Sequence, residues 1–266
     1  ITKKTVTVTP DTGLTKVYGS SDPTLTYTPD APLISGNSFT GALSRTTGES
    51  VNTYAINAGN LSAGSNYDVV LGGAVTFAIT QKSITVTAAT NSKEYDGTTS
   101  ASAIPVVTGG LAFGDTANFV EAYALPDVGT GLTLVPSGTV TSVNSGSNYA
   151  INFVNNTTGA ITAKALTVTG LSLSDKVYDG NTTASITGTP ALSGVIAGDV
   201  SNVSISGTAG GSFTAPTVGA KTITVTGLSL TGSASGNYTL TAPVVSGNIT
   251  KKTVTVTPDT GLTKVY

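Results

Sequence analysis

The stretch Ile1-Thr2-Lys3-Lys4-Thr5-Val6-Thr7-Val8-Thr9 returns along the chain, and this repeat decides the fold class. Its counterparts are Ile79-Thr80-Gln81-Lys82-Ser83-Ile84-Thr85-Val86-Thr87, Ile161-Thr162-Ala163-Lys164-Ala165-Leu166-Thr167-Val168-Thr169 and a further copy that starts at Ile249. In each copy, branched apolar residues alternate with Thr or Ser, which is the pattern of a strand with one buried face. The repeat predicts three small all-β modules in tandem.

Further landmarks recur in the same order in each module. A tyrosine motif follows each start, and its copies are Lys16-Val17-Tyr18-Gly19, Lys93-Glu94-Tyr95-Asp96-Gly97, Lys176-Val177-Tyr178-Asp179-Gly180 and Lys264-Val265-Tyr266. An Asn-Tyr pair lies near the end of each module, at Asn66-Tyr67, Asn148-Tyr149 and Asn237-Tyr238. The second and third modules also share a Gly-Asp pair, at Gly114-Asp115 and Gly198-Asp199.

These landmarks place the modules at residues 1–80, 81–162 and 163–250, and we assign residues 251–266 to the first strand of a fourth module. Residues 249–266 repeat residues 1–18 without a difference, which indicates a higher-order repeat of 248 residues. A lone strand cannot bury its apolar face. We therefore expect the fourth module to be completed, either by the same chain beyond Tyr266 or by strand exchange with the next subunit.

Alternation within the modules favours half-buried antiparallel strands. The apolar pairs are Val6 and Val8, Ile84 and Val86, Leu166 and Val168, and Ile223 and Val225. Turn sequences such as Asp96-Gly97 and Ser145-Gly146 separate the strands. We predict Ig-like sandwich modules that follow one another with almost no linker in an extended rod. The alternative is a β-grasp-like module, which requires a short helix within residues 36–43, 111–119 or 195–203.

Composition excludes several classes of function. The chain has no His, Cys, Met or Trp, so His- or Cys-based zinc sites, Ser-His-Asp and Cys-His nucleophiles and disulfides are excluded. The 14 acidic residues are scattered, so we expect no calcium site and no cofactor. The net charge is −2 and the basic residues do not cluster, which argues against nucleic acid as a partner. The longest apolar stretch, residues 71–79, is too short to span a membrane.

On these motifs the chain resembles two repeat families of bacterial adhesins and large secreted exoproteins. The first module is similar to an MBG domain of the YGX type, with Tyr18-Gly19, Asp22-Pro23-Thr24-Leu25-Thr26-Tyr27 and Asn66-Tyr67. The second and third modules resemble YDG domains, with Tyr95-Asp96-Gly97-Thr98-Thr99 and Tyr178-Asp179-Gly180-Asn181-Thr182-Thr183. The resemblance implies a spacer or stalk in a secreted protein at the bacterial cell surface.

The tyrosine motif combines a base, an acid and a phenol, but a structural role accounts for each. Tyr packs at a strand end, Asp caps the turn and Gly supplies a positive φ. The Asn-Tyr pairs are interpreted as a turn Asn followed by a core Tyr. An intramolecular isopeptide bond would draw on Lys93 or Lys176, Asn148 or Asn237, and Asp115 or Asp199, and we expect none. We therefore predict no catalytic, cofactor-binding or metal-binding residue, and no enzyme.

The expected function is a structural segment, the stalk or filament shaft of an extracellular adhesin or surface fibre. Its expected partners are neighbouring repeats of the same chain or identical subunits in a fibre. The alternative is an adhesive module that recognises a host or environmental surface or a glycan. An adhesive site would concentrate aromatic residues in one module. Tyr27, Tyr54 and Tyr123 lie outside the landmarks in different sequence contexts, which favours the stalk.

Overall fold

The protein is described by a computed structural model that covers residues 1–144 and 146–266. The strands of the first module are β1 (Lys4–Pro10), β2 (Thr15–Val17), β3 (Tyr27–Pro29), β4 (Ser44–Arg45), β5 (Asn52–Asn57), β6 (Tyr67–Leu71) and β7 (Thr76–Thr80). Those of the second module are β8 (Lys82–Thr87), β9 (Ser92–Glu94), β10 (Val106–Thr108), β11 (Thr116–Tyr123), β12 (Gly129–Thr141), β13 (Tyr149–Val154) and β14 (Asn156–Thr162).

The third module continues the all-β pattern. Its strands are β15 (Lys164–Leu173), β16 (Lys176–Val177), β17 (Ile186–Ser193), β18 (Ser204–Gly210), β19 (Gly219–Thr224), β20 (Thr226–Thr231), β21 (Tyr238–Leu240) and β22 (Val244–Thr250). Two short 3-10 helices, Ala197–Asp199 and Ser235–Asn237, lie between strands. The predicted all-β class is confirmed. No helix in the described part of the chain is long and apolar enough to cross a membrane.

The chain divides into two units. The first unit comprises residues 1–91, 100–124 and 133–159, and the second comprises residues 92–99, 125–132 and 160–266. The second module therefore contributes residues to both units.

In the first unit, the repeated alternating strand lies at the centre of a three-stranded sheet. Strand β1 pairs antiparallel with β3 and parallel with β6. Strand β8 takes the same position, antiparallel to β10 and parallel to β13. A second sheet of the first module has the order β2-β7-β5-β4, in which β2 is parallel to β7. Strand β11 pairs antiparallel with the end of β12.

The second unit repeats this arrangement. Strand β15 pairs antiparallel with β17 and parallel with β21. Strand β22 lies between β16, which is parallel to it, and β19, which is antiparallel. Strand β18 pairs antiparallel with β20, and β9 pairs parallel with the end of β14.

Burial follows the alternation that the sequence predicts. Each predicted apolar pair is buried: Val6 and Val8, Ile84 and Val86, Leu166 and Val168, and Ile223 and Val225. The expectation that the strands are antiparallel is wrong for the first strand of each module, because one of its neighbours is parallel. A period of two fixes which side chains face the core, and it leaves the direction of the neighbouring strand open. This parallel pair also departs from the antiparallel sheets of an immunoglobulin domain.

The stretches that could hold a short helix contain little helix. Residues 195–203 contain the single 3-10 turn Ala197–Asp199, whereas residues 36–43 and 111–119 form turns and irregular structure, with the start of β11. In the predicted Ser145-Gly146 turn, Ser145 lies outside the described residues, and Gly146 has a φ of 104°.

Successive modules follow one another almost without a linker, as predicted. Gln81 alone separates β7 from β8, and Ala163 alone separates β14 from β15. Residues 251–266, which we expected to form a strand, are exposed and form none. A strand needs hydrogen-bonded neighbours, and the strands that flank β1 in the first module have no counterpart in residues 251–266. The assignment of this segment to a fourth module stays a prediction.

Candidate functional site

The tyrosine motif of one module meets the Gly-Asp and Asn-Tyr pairs of the next module, and this contact occurs twice. The first junction lies within the first unit and is formed by Tyr18, Gly19 and Val51 with Ala112, Asp115, Asn148 and Tyr149. The second junction lies within the second unit and is formed by Tyr95, Gly97 and Val128 with Ile196, Asp199, Asn237 and Tyr238.

A short parallel strand positions the tyrosine at each junction. Tyr18 follows β2, and its backbone N–H donates to the carbonyl of Thr80 at 2.9 Å. Tyr95 follows β9, and its N–H donates to the carbonyl of Thr162 at 2.8 Å. Thr80 and Thr162 end the closing strands of their modules. The tyrosine is therefore fixed beside the point where the chain enters the next module.

Both junctions contain a pair of tyrosine rings in edge-to-face contact. The ring centroids of Tyr18 and Tyr149 are 5.5 Å apart, and those of Tyr95 and Tyr238 are 5.4 Å apart. Tyr18 is 1% exposed and Tyr95 is 5% exposed. Such pairs stabilise a structure by roughly 0.5–1.5 kcal/mol beyond the burial of their area.

A carboxylate anchors the second tyrosine of the first junction. The Tyr149 hydroxyl donates to Asp115 Oδ2 at 2.5 Å and accepts from the N–H of Ala112 at 2.9 Å. Burial raises the pKa of Asp115, but hydrogen bonds from Tyr149 and from the N–H of Val143 outweigh it and leave the pKa lowered. Burial and the Asp115 carboxylate raise the pKa of Tyr149 to about 12. At neutral pH the phenol is therefore a donor and the carboxylate an acceptor.

In the second junction a single carboxylate oxygen accepts hydrogen bonds from both tyrosine hydroxyls. Asp199 Oδ2 accepts from the Tyr95 hydroxyl at 2.9 Å and from the Tyr238 hydroxyl at 2.6 Å. The N–H of Ile196 donates to the Tyr238 hydroxyl at 3.2 Å. Burial, followed by the hydrogen bond to Asp199, raises the pKa of Tyr95 to about 12. The tyrosine of the second module is thus tied directly to the Gly-Asp pair of the third.

At both junctions, the buried Asn of the Asn-Tyr pair caps a strand of the preceding module. Asn148 Oδ1 accepts from the N–H of Val51 at 2.8 Å, and Asn237 Oδ1 accepts from the N–H of Val128 at 2.9 Å. Val51 immediately precedes β5, and Val128 immediately precedes β12. A buried amide without partners costs about 1–3 kcal/mol, so these bonds favour the docked arrangement.

The glycine of the tyrosine motif lets the two backbones approach. Gly19 has a φ of 80°, and a Cβ there would lie 2.6 Å from the Cβ of Ala112. Gly97 has a φ of 74°, and a Cβ there would lie 3.3 Å from Cγ2 of Ile196. The positive φ was predicted from the sequence; the close contact with the next module was not.

The lysine and aspartate of the motif stabilise its own turn. Lys93 Nζ lies 2.7 Å from Asp96 Oδ1, which also accepts from the N–H of Thr98 at 2.9 Å. The hydrogen bonds from Lys93 and Thr98 lower the pKa of Asp96 to about 2. Asp179 accepts from the N–H of Asn181 at 3.1 Å in the same way. The predicted role of this Asp as a turn cap is confirmed.

The residues weighed for an isopeptide bond in the third module have separate partners. Lys176 Nζ donates to Asn181 Oδ1 at 2.8 Å, while Asn237 Nδ2 donates to Asp127 Oδ1 at 2.9 Å. Asp199 accepts from Tyr95 and Tyr238, as described above. The structure therefore gives Lys176, Asn237 and Asp199 a role in holding turns and junctions.

The first module has a charged cluster in place of the Lys-Asp pair, because Gly19 follows Tyr18 directly. Lys16 contacts Asp22 at 2.6 Å and also contacts Glu49. Arg45 contacts Asp22 at 2.7 Å and Glu49 at 2.6 Å. Arg45 lowers the pKa of Asp22 to about 2, with a further contribution from Lys16. The cluster pairs each cation with both acids, so its charges balance locally.

The described residues contain no group of three or more acidic side chains arranged to hold a metal ion.

Sequence reasoning missed that the landmarks contact one another across module boundaries. It also missed that Gly36-Asn37 is the counterpart of the Gly-Asp pair in the first module, because Asn replaces Asp. The N–H of Ile34 donates to the Tyr67 hydroxyl at 2.9 Å, as Ala112 and Ile196 do to their tyrosines. The recurring order of the landmarks and the missing linkers were the signals that could have revealed the junctions.

Models of known protein families match the chain module by module. The YDG domain matches residues 80–159 and 162–245, which together make up more than half of the chain. The MBG domain (YGX type) matches residues 6–76. No curated protein and no solved structure matches the chain. The family resemblance drawn from the motifs is therefore confirmed.

Proposed function

Because the chain belongs to the YDG domain family, with an MBG domain of the YGX type ahead of two YDG copies, we propose that it is a stalk or filament-shaft segment of a bacterial extracellular adhesin or surface fibre. MBG and YDG domains are repeat-type domains of surface proteins. In this proposal the chain performs no catalysis, and its partners are neighbouring repeats or identical subunits.

The observation that carries the proposal is the repetition of one junction. The same residue types occupy corresponding positions in both copies: an edge-to-face ring pair, a carboxylate that accepts from a phenol, and an Asn that caps a strand of the preceding module. A stalk needs this property, since each added module must be held in the same way as the last. A binding tip would instead need a concentration of aromatic residues found in one module.

The junctions also suit a mechanical role. With one residue between β7 and β8, the connection has little freedom to act as a flexible tether. The buried rings and hydrogen bonds further restrict movement between modules, because bending would expose them. The absence of Cys and Met removes the side chains most sensitive to oxidants, which suits an exposed surface.

A binding screen tests this proposal against the adhesive alternative. The labelled chain is applied to a glycan array and to immobilised host matrix proteins, with a known lectin as the positive control. We expect no binding above that of an unrelated β-sandwich protein. Saturable binding to one glycan or matrix protein would overturn the stalk proposal in favour of adhesion.

A further inference from the structure

The third module carries a tyrosine motif like those at the two junctions, but its surroundings differ. Tyr178 is 42% exposed, whereas Tyr18 and Tyr95 are buried. A Cβ built on Gly180 would meet no atom within 4 Å, although Gly180 has the same positive φ as Gly19 and Gly97. We call Tyr178, Gly180 and Val218 the donor face.

Val218 completes the donor face. It immediately precedes β19, as Val51 precedes β5 and Val128 precedes β12. Its side chain is 45% exposed. At both junctions the N–H of the corresponding valine is capped by an Asn of the next module. The donor face therefore presents the three features that the tyrosine end of a junction requires.

The first module presents the complementary half, which we call the acceptor face: Ile34, Asn37, Asn66 and Tyr67. Ile34 is 63% exposed, whereas its counterparts Ala112 and Ile196 are half-buried beneath a glycine. Asn66 is exposed, whereas Asn148 and Asn237 are buried. A groove lined by Ile34, Asn66 and Tyr67 lies on this face, bordered by residues 1–4.

The backbone of the acceptor face is already arranged as it is in the two occupied junctions, while the Asn37 side chain donates to the Ile34 carbonyl at 2.9 Å. The N–H of Ile34 donates to the Tyr67 hydroxyl at 2.9 Å, and the N–H of Asn37 donates to the Ile34 carbonyl at 3.0 Å. Asp115 and Asp199 make the corresponding bonds to Ala112 and Ile196. Little rearrangement is needed for a tyrosine motif to dock.

We propose that the donor face docks onto the acceptor face of a second copy of the first module, which forms a third junction and closes the 248-residue repeat. This inference rests on the proposed stalk function and names the partner of its unoccupied faces. Residues 249–266 identify the occupant, because they have the sequence of residues 1–18 and begin within the last two residues of β22, the strand that ends the third module. In the first module, the backbone N–H of Lys4 donates to the Asn66 carbonyl at 2.9 Å, as the backbone N–H of Lys82 does to the Asn148 carbonyl at 3.0 Å.

The contacts at the third junction follow from the other two. The Tyr178 ring packs edge-on against Tyr67, Gly180 lies on Ile34, and Asn66 accepts from the N–H of Val218. One difference is built into the sequence, since Asn37 stands where the other junctions have Asp. At the third junction the Tyr67 hydroxyl therefore donates to the neutral amide of Asn37, where Tyr149 and Tyr238 donate to a carboxylate.

A tandem chain tests the proposal: residues 1–248 followed by residues 1–266, so that the inner third module is followed by a complete first module. Hydroxyl-radical footprinting with mass spectrometry measures the modification of tyrosine. Because the two repeats give identical peptides, Tyr178→Leu is placed in the terminal repeat to isolate the inner Tyr178, and in the inner repeat to isolate the terminal one; an oxidised leucine peptide keeps a mass distinct from that of the tyrosine peptide, which an oxidised phenylalanine peptide would not.

We expect modification of the inner Tyr178 to fall to the level of Tyr95, while the terminal Tyr178 stays as reactive as in the single chain. Ile34→Asp in the second repeat should restore the reactivity of the inner Tyr178. The variant places a carboxylate where Gly180 would pack, so the donor face cannot dock and Tyr178 stays exposed. Ile104→Asp, at another exposed position, is the matched control and should leave the protection unchanged.

Equal modification of the inner and terminal Tyr178 would overturn the docking proposal. Protection that survives Ile34→Asp would overturn it as well, since another surface would then cover Tyr178. Neither result bears on the stalk function, which fails if the binding screen finds a saturable ligand. The two failures are thus distinguishable.

Discussion

Tyr95 and Tyr178 occupy the same position in two YDG modules, yet one is buried at a junction and the other is exposed. Tyr95→Phe removes the hydrogen bond to Asp199 and should lower the free energy of unfolding by about 1 kcal/mol. Tyr95→Ala also removes the ring and should cost about 3 kcal/mol. Tyr178→Ala is the matched control, and in the single chain we expect a change below about 0.5 kcal/mol. Urea unfolding followed by circular dichroism measures these effects, and equal losses for Tyr95→Ala and Tyr178→Ala would contradict the junction.

Asp22 and Asp96 make stability depend on acid pH. Each pKa is lowered from 3.8 to about 2, chiefly by a hydrogen bond from a neighbouring cation. A lowered carboxyl pKa contributes stability that is present above the unfolded pKa and lost as the pH falls through the folded one. We expect the melting temperature to fall as the pH drops from about 4 to about 2. Asp96→Asn should flatten this dependence, whereas Asp259→Asn in the exposed tail should leave it as in the wild type.

At the residue scale, sequence reasoning predicted the turn roles within the tyrosine motif and missed the contacts that its tyrosine makes with residues far along the chain. The Asp cap and positive-φ glycine of the tyrosine motif depend on residues two or three positions away, which turn chemistry describes well. The partner of the Tyr95 hydroxyl, Asp199, lies 104 positions along the chain. No local propensity encodes such a contact, so the motif was predicted as a structural turn without its role at a junction.

Strand β1 and residues 252–258 have the same sequence in different environments, so comparing them isolates the effect of packing. Val8 is fully buried in the core of the first unit, whereas Val256 is 82% exposed. Val8→Ala should lower the free energy of unfolding by about 2 kcal/mol because it leaves a cavity. Val256→Ala should change it by less than about 0.5 kcal/mol. A comparable loss in both variants would show that residues 252–258 are packed in solution.

At the scale of elements, alternation predicted burial but not pairing. Val6 and Val8 face the core as their period of two requires, and this part of the fold could be derived from sequence. The parallel neighbour of β1 is β6, which begins at Tyr67, immediately after Asn66. Its direction depends on the connection between the two strands, and alternation carries no information about that connection.

For the whole molecule, repeats and missing linkers were evident from the sequence, and the structure adds the contacts that make each boundary specific. The tyrosine motif, the Gly-Asp pair and the Asn-Tyr pair recur because they meet at each boundary. A long array needs such recurrence, since one junction geometry then serves every step; in the first module Asn37 stands in place of the Asp. The central claim is therefore that these junctions hold neighbouring modules together, and the extended rod expected from the sequence is its prediction for the whole molecule.

Small-angle X-ray scattering of the chain tests this claim most directly. Modules of roughly 30 Å placed in line span about 100 Å, which corresponds to a radius of gyration of about 30 Å. A compact globule of the same length would have a radius of gyration of about 18 Å. We predict the larger value, with a maximum dimension near 100 Å, independent of protein concentration at low concentration. A radius of gyration near 18 Å would contradict the account.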